Sequence, residues 1–136
     1  MPSAEANDPA IAIEVSPGEL LDKISILEIK SERIGDPDKL ANIQYELKLL
    51  QEILSDRFTG NTAIVRLMGE LKAVNEKLWD IEDEIRDCES RKDFGETFVQ
   101  LARSVYLTND RRAEIKREIN TLCGSAIVEE KSYTQY

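Results

Sequence analysis

IVRLMGELKAVNEKLWDIEDEIRDC, residues 64–88, sets its apolar side chains at intervals of three and four: Ile64, Leu67, Leu71, Val74, Leu78, Ile81, Ile85 and Cys88. Charged residues fill the positions between them. That spacing lays one continuous stripe down a helix for more than three heptads, the pattern of a coiled-coil-like rod. A strand would alternate with a period of two and would place half of these residues on the wrong face.

Working outward, the same pattern recurs on both sides. Downstream, Asp93 and Glu96 form a candidate capping box, and a fourth helix runs to Cys123 before Gly124. Its stripe is Phe94, Phe98, Leu101, Val105, Ile115, Ile119 and Leu122, interrupted by Thr108 and Arg112. Upstream, the polar cluster Thr59-Gly60-Asn61-Thr62 breaks a second helix over Pro37–Phe58, whose stripe is Leu40, Ile43, Leu47, Leu50 and Leu54. Asp36 before Pro37 is a cap followed by a proline at the first helical position. The first helix starts by the same logic at Ser16-Pro17-Gly18-Glu19 and extends to about Ile34, with Gly35 as its stop.

These elements predict an all-α protein, either a four-helix antiparallel bundle or paired helical hairpins with a long second hairpin. The organisation expected is a flexible or extended segment over residues 1–15, a helical domain over 16–124 and a C-terminal tail over 125–136. Residues 1–9 read as disordered. Residues 11–15 alternate apolar and polar. In an antiparallel bundle they fall at the same pole as Ala126-Ile127-Val128, where a two-stranded clip is an option, although an isolated ribbon is marginal.

Composition narrows the chemistry. The 136 residues carry a net charge of −9, and an acidic surface repels phosphate backbones and anionic membranes. No apolar run approaches the length of a membrane span, and the N-terminus lacks a basic-then-apolar signal pattern. The expectation is therefore a soluble, cytoplasmic protein without nucleic-acid or membrane partners. Histidine is absent. Its absence removes Ser-His and Cys-His nucleophile pairs and His-ligated zinc or di-iron sites. Cys88 and Cys123 lack CxxC spacing, and no cofactor is implied.

Two features go beyond a plain bundle. The third and fourth helices, roughly 30 residues each, outrun the first two by on the order of 15 Å at about 1.5 Å rise per residue. The projecting tip would hold Ile85, Cys88, Phe94, Phe98 and Leu101, a candidate interface unless the tip closes on itself. The second feature is a polar layer. In a hairpin turning near Asp93, facing residue numbers sum to about 187, which sets Arg112 opposite Asn75 and Asn109 opposite Leu78. Glu28, Lys30, Gln44 and Glu46 lie at the same height. An internal arginine needs a carboxylate, and Glu28 or Glu46 is the expected partner. Such a layer fixes register, as a single buried Asn does in coiled coils. Alternatively, Arg112, Lys30 and Arg103 would grip a small anion.

Arg111, Arg112, Lys116 and Arg117 are interleaved with Asp110, Glu114 and Glu118 and read as a solvated face. Trp79 and Tyr106 read as packing residues.

Four ordered stretches carry a resemblance: SPGELLDKI at 16–24 with LEIK at 27–30; LWDIEDEIR at 78–86; ARSVY at 102–106 with NDRRA at 109–113 and KREIN at 116–120; and EEKSY at 129–133. The chain resembles a bacterial family of small helical proteins classed as a domain of unknown function. The resemblance implies a bacterial origin, a helical fold and a single domain, and it transfers no catalytic residue. The function expected is a non-enzymatic interaction or scaffold role, with a homodimer or another protein as partner. The alternative is a small-anion binder or small enzyme that uses the Arg/Lys/Glu layer.

Overall fold

A computed structural model of the chain describes residues 8–136. Four α-helices follow in order: α1 (Pro17–Arg33), α2 (Pro37–Phe58), α3 (Thr62–Ser90) and α4 (Glu96–Cys123). Among the described residues there is no strand. Residues 11–15 are exposed and extend without a partner, so the clip with 126–128 does not form.

Local chemistry sets each helix start. The Ser16 hydroxyl accepts from the Glu19 N–H at 3.2 Å, Asp36 accepts from the Asp38 N–H at 2.9 Å, and Asn61 accepts from the Ile64 N–H at 3.1 Å. Each side chain satisfies one of the donors a helix leaves orphaned in its first turn. The start of α4 differs from expectation. Gly95 is its cap, and Asp93 instead accepts from the Gly95 N–H at 3.1 Å to close the preceding turn. At the far ends, Gly124 takes the left-handed conformation (φ 66°) that a helix stop requires. Gly35 does not, because α1 ends one residue earlier on an extended Ile34.

Side-chain pairings give the helix directions. Gly18 lies against Asn120 and Asp22 against Arg112, so α1 runs antiparallel to α4. Asp22 meets Asn75 and Arg33 meets Asp80, so α1 runs parallel to α3. The order is up, down, up, down. α1 is the central rod and touches α2, α3 and α4, whereas the longest contact is between α3 and α4.

The core joins Leu20, Leu21 and Ile24 of α1 to Ile64, Leu67 and Leu71 of α3 and to Ile115 and Ile119 of α4. Each such side chain contributes roughly 1.5–3 kcal/mol by leaving water. From α2, Leu47, Leu50, Leu54 and Phe58 close this core from one side and remain half-buried. On α4 the stripe continues through Thr108, Arg112, Ile115 and Ile119 at three-four spacing. It then steps to Cys123, leaving Leu122 exposed. No described helix is long and apolar enough to cross a membrane.

The end of α1 is bracketed on α3 by the Glu32–Lys72 and Arg33–Asp80 pairs, and beyond Asp80 α3 continues to Ser90 for about 15 Å. The α3–α4 hairpin therefore projects, as its length predicted.

Candidate functional site

The site begins on α1. Being central, this helix is buried on two faces and carries two inward stripes. One is apolar: Leu20, Ile24 and Leu27. The other is Gly18, Asp22, Ser25 and Ile29, at spacings of four, three and four, and it brings a carboxylate and a hydroxyl into the interior. Asp22 is 1% exposed.

Arg112 of α4 grips this carboxylate with both prongs of its guanidinium. Nε donates to Oδ1 at 3.0 Å, and Nη2 donates to Oδ2. Asn75 of α3 donates to the same Oδ1 at 2.9 Å and to the Ser25 hydroxyl at 2.8 Å. The Ser25 hydroxyl in turn donates to the Asp22 carbonyl at 2.8 Å. One turn along α4, Lys116 reaches Glu19 and Glu129 at 3.0 Å each and lies 3.9 Å from Asp22. Another turn on, the Asn120 side-chain oxygen accepts from the Gly18 N–H at 2.7 Å. Position 18 tolerates no side chain: a Cβ there would stand 2.7 Å from the Lys116 carbonyl oxygen and 2.9 Å from the Asn120 oxygen. Glycine lets α1 and α4 touch backbone to backbone at this point.

The network closes on itself. Among the described residues, no buried side-chain nitrogen or oxygen lacks a partner. The hydrogen bond to Asp22 raises the Arg112 pKa above its already high ordinary value. For Lys116, burial pulls the pKa down, but the bonds to Glu129 and Glu19 and the Asp22 charge outweigh it and leave the ammonium above its ordinary value. Both cations therefore stay charged. No group of three or more His, Cys, Asp or Glu side chains placed to hold a metal ion occurs among the described residues.

Residues 11–136 match a family of unknown function (DUF6165). The chain belongs to that family. No significant match was found among curated proteins or solved structures. The matched span of this DUF6165 member includes both the polar network and the tail that closes on Lys116.

The facing-number estimate places Asn75 and Arg112 together, and they do meet, on Asp22. The expected carboxylate partners do not. Glu46 pairs with Lys23 at 3.6 Å near the surface. Glu28 is half-buried near Lys72 and Glu32, and burial raises its pKa. Asn109 is half-buried outside the network, and Arg103 is exposed and donates to Gln100 at 3.4 Å. Lys30 and Arg112 line one groove of about 410 Å3 together with Trp79 and Asn75. Lys116, assigned from its charged neighbours to a solvated face, is instead buried. Asp22, Ser25, Glu19 and Asn120 were missed. For Asp22 and Ser25 the signal is the second three-four stripe of the first helix, which is polar; Glu19 lies off that stripe and Asn120 lies on α4.

At the hairpin tip, Cys88 is 1% exposed and sits between α3 and α4, so its thiol is shielded from a second chain. Ile85, Phe98 and Leu101 are half-buried, and Phe94, 51% exposed, packs edge-on against Phe98 at 5.2 Å. The tip closes much of its own apolar stripe. A larger open apolar face lies on α2, where Tyr45, Leu49 and Ile53 are 67%, 43% and 47% exposed.

Proposed function

We propose that this protein is a non-enzymatic helical interaction module that associates with a second copy of itself through apolar helix surface. The observation that carries the reading is the outward stripe of α2. Tyr45, Leu49 and Ile53 recur every four residues and form one row, opposite the leucines that face α1. A helix that is apolar on both sides belongs in an interior, yet among the described residues α2 has α1 as its main neighbour. The stripe is centred on Leu49. Two copies related by a two-fold axis would set Leu49 on Leu49 and Tyr45 on Ile53, the self-complementary geometry of an isologous dimer. The projecting tip, with Phe94 and half-covered Phe98, is the second surface available.

Sedimentation at tens of micromolar tests this. The unmodified chain is expected to run as a dimer. Leu49→Asp, an exposed substitution, is expected to yield a monomer with the same helix content. Phe98→Asp reports on the tip in the same way. A monomeric unmodified chain at that concentration would overturn the proposal.

A second reading is favoured by the groove that Lys30 shares with Arg112. Among the described residues Lys30 makes no ion pair; Arg86 lines the same groove, with Glu82 and Asp83 opposing it, and the ligand to test is a small dicarboxylate. A ligand preferring the folded state raises the melting temperature. A flat response to a panel of dicarboxylates and phosphates eliminates this reading.

A further inference from the structure

After Gly124 the chain turns back along α4 with no regular structure, and every residue from Ala126 to Tyr136 is exposed. It is held at two points. Near its start, Glu129 bonds Lys116 at 3.0 and 3.3 Å, its carbonyl accepts from Arg117 at 3.4 Å, and Glu130 lies 3.7 Å from Arg117. At its end, the Tyr136 hydroxyl donates to Asp110, and its ring packs against Tyr106 at 5.1 Å. Between these points tail and helix enclose a groove of about 820 Å3. The tail thus spans one face of its own helix, fastened at both points over open space; that face and the space above it are the α4 groove.

Two physical facts make this occupancy exchangeable. The tail is fastened by ion pairs and one aromatic contact at the surface, which hold little free energy, and buries no large side chain of its own. Its release also leaves the core intact, since Lys116 keeps Glu19 and Asp22. We infer that the α4 groove is a docking site for the C-terminal segment of a second copy, and that two chains exchange their tails through the turn at Gly124. The occupant is argued from the structure itself: the segment seen to fit the groove is one that every copy carries, so exchange replaces each contact with an identical one. This deepens the self-association reading by adding a contact separate from α2. The tether holds a chain's own tail at an effective concentration in the millimolar range, so exchange rises with protein concentration.

The test uses two full-length variants, both carrying Leu49→Asp so that α2 contributes nothing. Arg117→Glu spoils the groove and leaves the acidic tail intact. Glu129→Lys with Glu130→Lys spoils the tail and leaves the groove intact. Arg117 and Glu130 are exposed, whereas Glu129 pairs with the buried Lys116, so helix content should match the parent in both variants and the tail variant should melt at a lower temperature. Alone, each is expected to sediment as a monomer. Mixed one to one at on the order of a millimolar, the effective concentration of the tether, they are expected to sediment faster than either alone, since the intact tail of one meets the intact groove of the other. A mixture that behaves as the sum of its parts overturns the inference. A labelled peptide of residues 125–136 gives an independent reading. It is expected to bind the Glu129→Lys/Glu130→Lys chain at least tenfold more tightly than the unmodified chain, whose own tail competes. Equal affinity also overturns it. Neither result bears on Leu49→Asp in the otherwise unmodified chain, so the α2 proposal stands or falls separately.

Discussion

α1 and α2 make an instructive pair. α2 is the richer in large apolar side chains, with nine leucine, isoleucine, tyrosine or phenylalanine residues in 22 against six in 17 for α1. Burial runs the other way. Eight residues of α1 are buried, and of α2 only Ile43. What decides burial is the number of neighbours. α1 is surrounded by three helices and is covered on two faces, so even its polar residues go inside. α2 leans on α1 and keeps Tyr45, Leu49 and Ile53 in water. The central helix had to solve a polar satisfaction problem, and the peripheral one is left with an unpartnered stripe.

The sharpest way to break this contrast is to remove the charge at the centre of α1. Asp22→Ala should cost about 3 kcal/mol, the low end for breaking a buried pair, because Arg112 keeps an opening to water. Urea denaturation would show it as a lower midpoint at unchanged slope. Replacing both partners, Asp22→Leu with Arg112→Leu, should recover most of that loss, since the desolvation cost disappears along with the attraction. A double variant no more stable than Asp22→Ala would mean that the network has a role besides neutralising its own charges.

A pair of truncations sharpens the comparison further. Leu21→Ala on α1 should cost roughly 2–5 kcal/mol, the range for a fully buried leucine. Leu49→Ala on α2 should stay within about 0.5 kcal/mol, measured at a dilution where the protein is monomeric. Similar losses at both positions would show that α2 is covered in solution even without a partner.

The smallest effect is in the pH dependence. The folded-state pKa of Lys116 lies above its ordinary value of 10.5. Its contribution is therefore complete below that pH and is lost as pH rises through the folded value. Burial likewise raises the Cys123 thiol above 9.0, which gives a loss of the same sign over a lower range. Melting temperature should fall at alkaline pH, and Lys116→Met should reduce that fall, the remainder coming from Cys123, Lys72 and Tyr136, which are raised as well. An unchanged alkaline limb in the variant would mean that Lys116 gains nothing from Glu19 and Glu129.

Much of the fold was legible because its signals are local. The Pro37 and Phe58 bounds of α2, the end of α4 at Cys123 and the cap at Ser16 follow from turn and cap chemistry acting over three or four residues. Asn75 and Arg112 were matched across the hairpin because an antiparallel pair has a fixed sum of residue numbers. Asp22 was not found, because its burial depends on α1 having neighbours on two sides, and no stretch of α1 records how many helices surround it. The same blindness explains Lys116, whose flanking charges resemble a solvated face.

The sequence by itself determined four helices, their lengths and their antiparallel order, since helix period, caps and short connections act over a few residues or one turn. Only the tertiary structure decided which helix is central, which carboxylate neutralises Arg112 and where apolar surface remains open. Those outcomes depend on which faces meet across the bundle, and water is excluded by all the neighbours of a residue together.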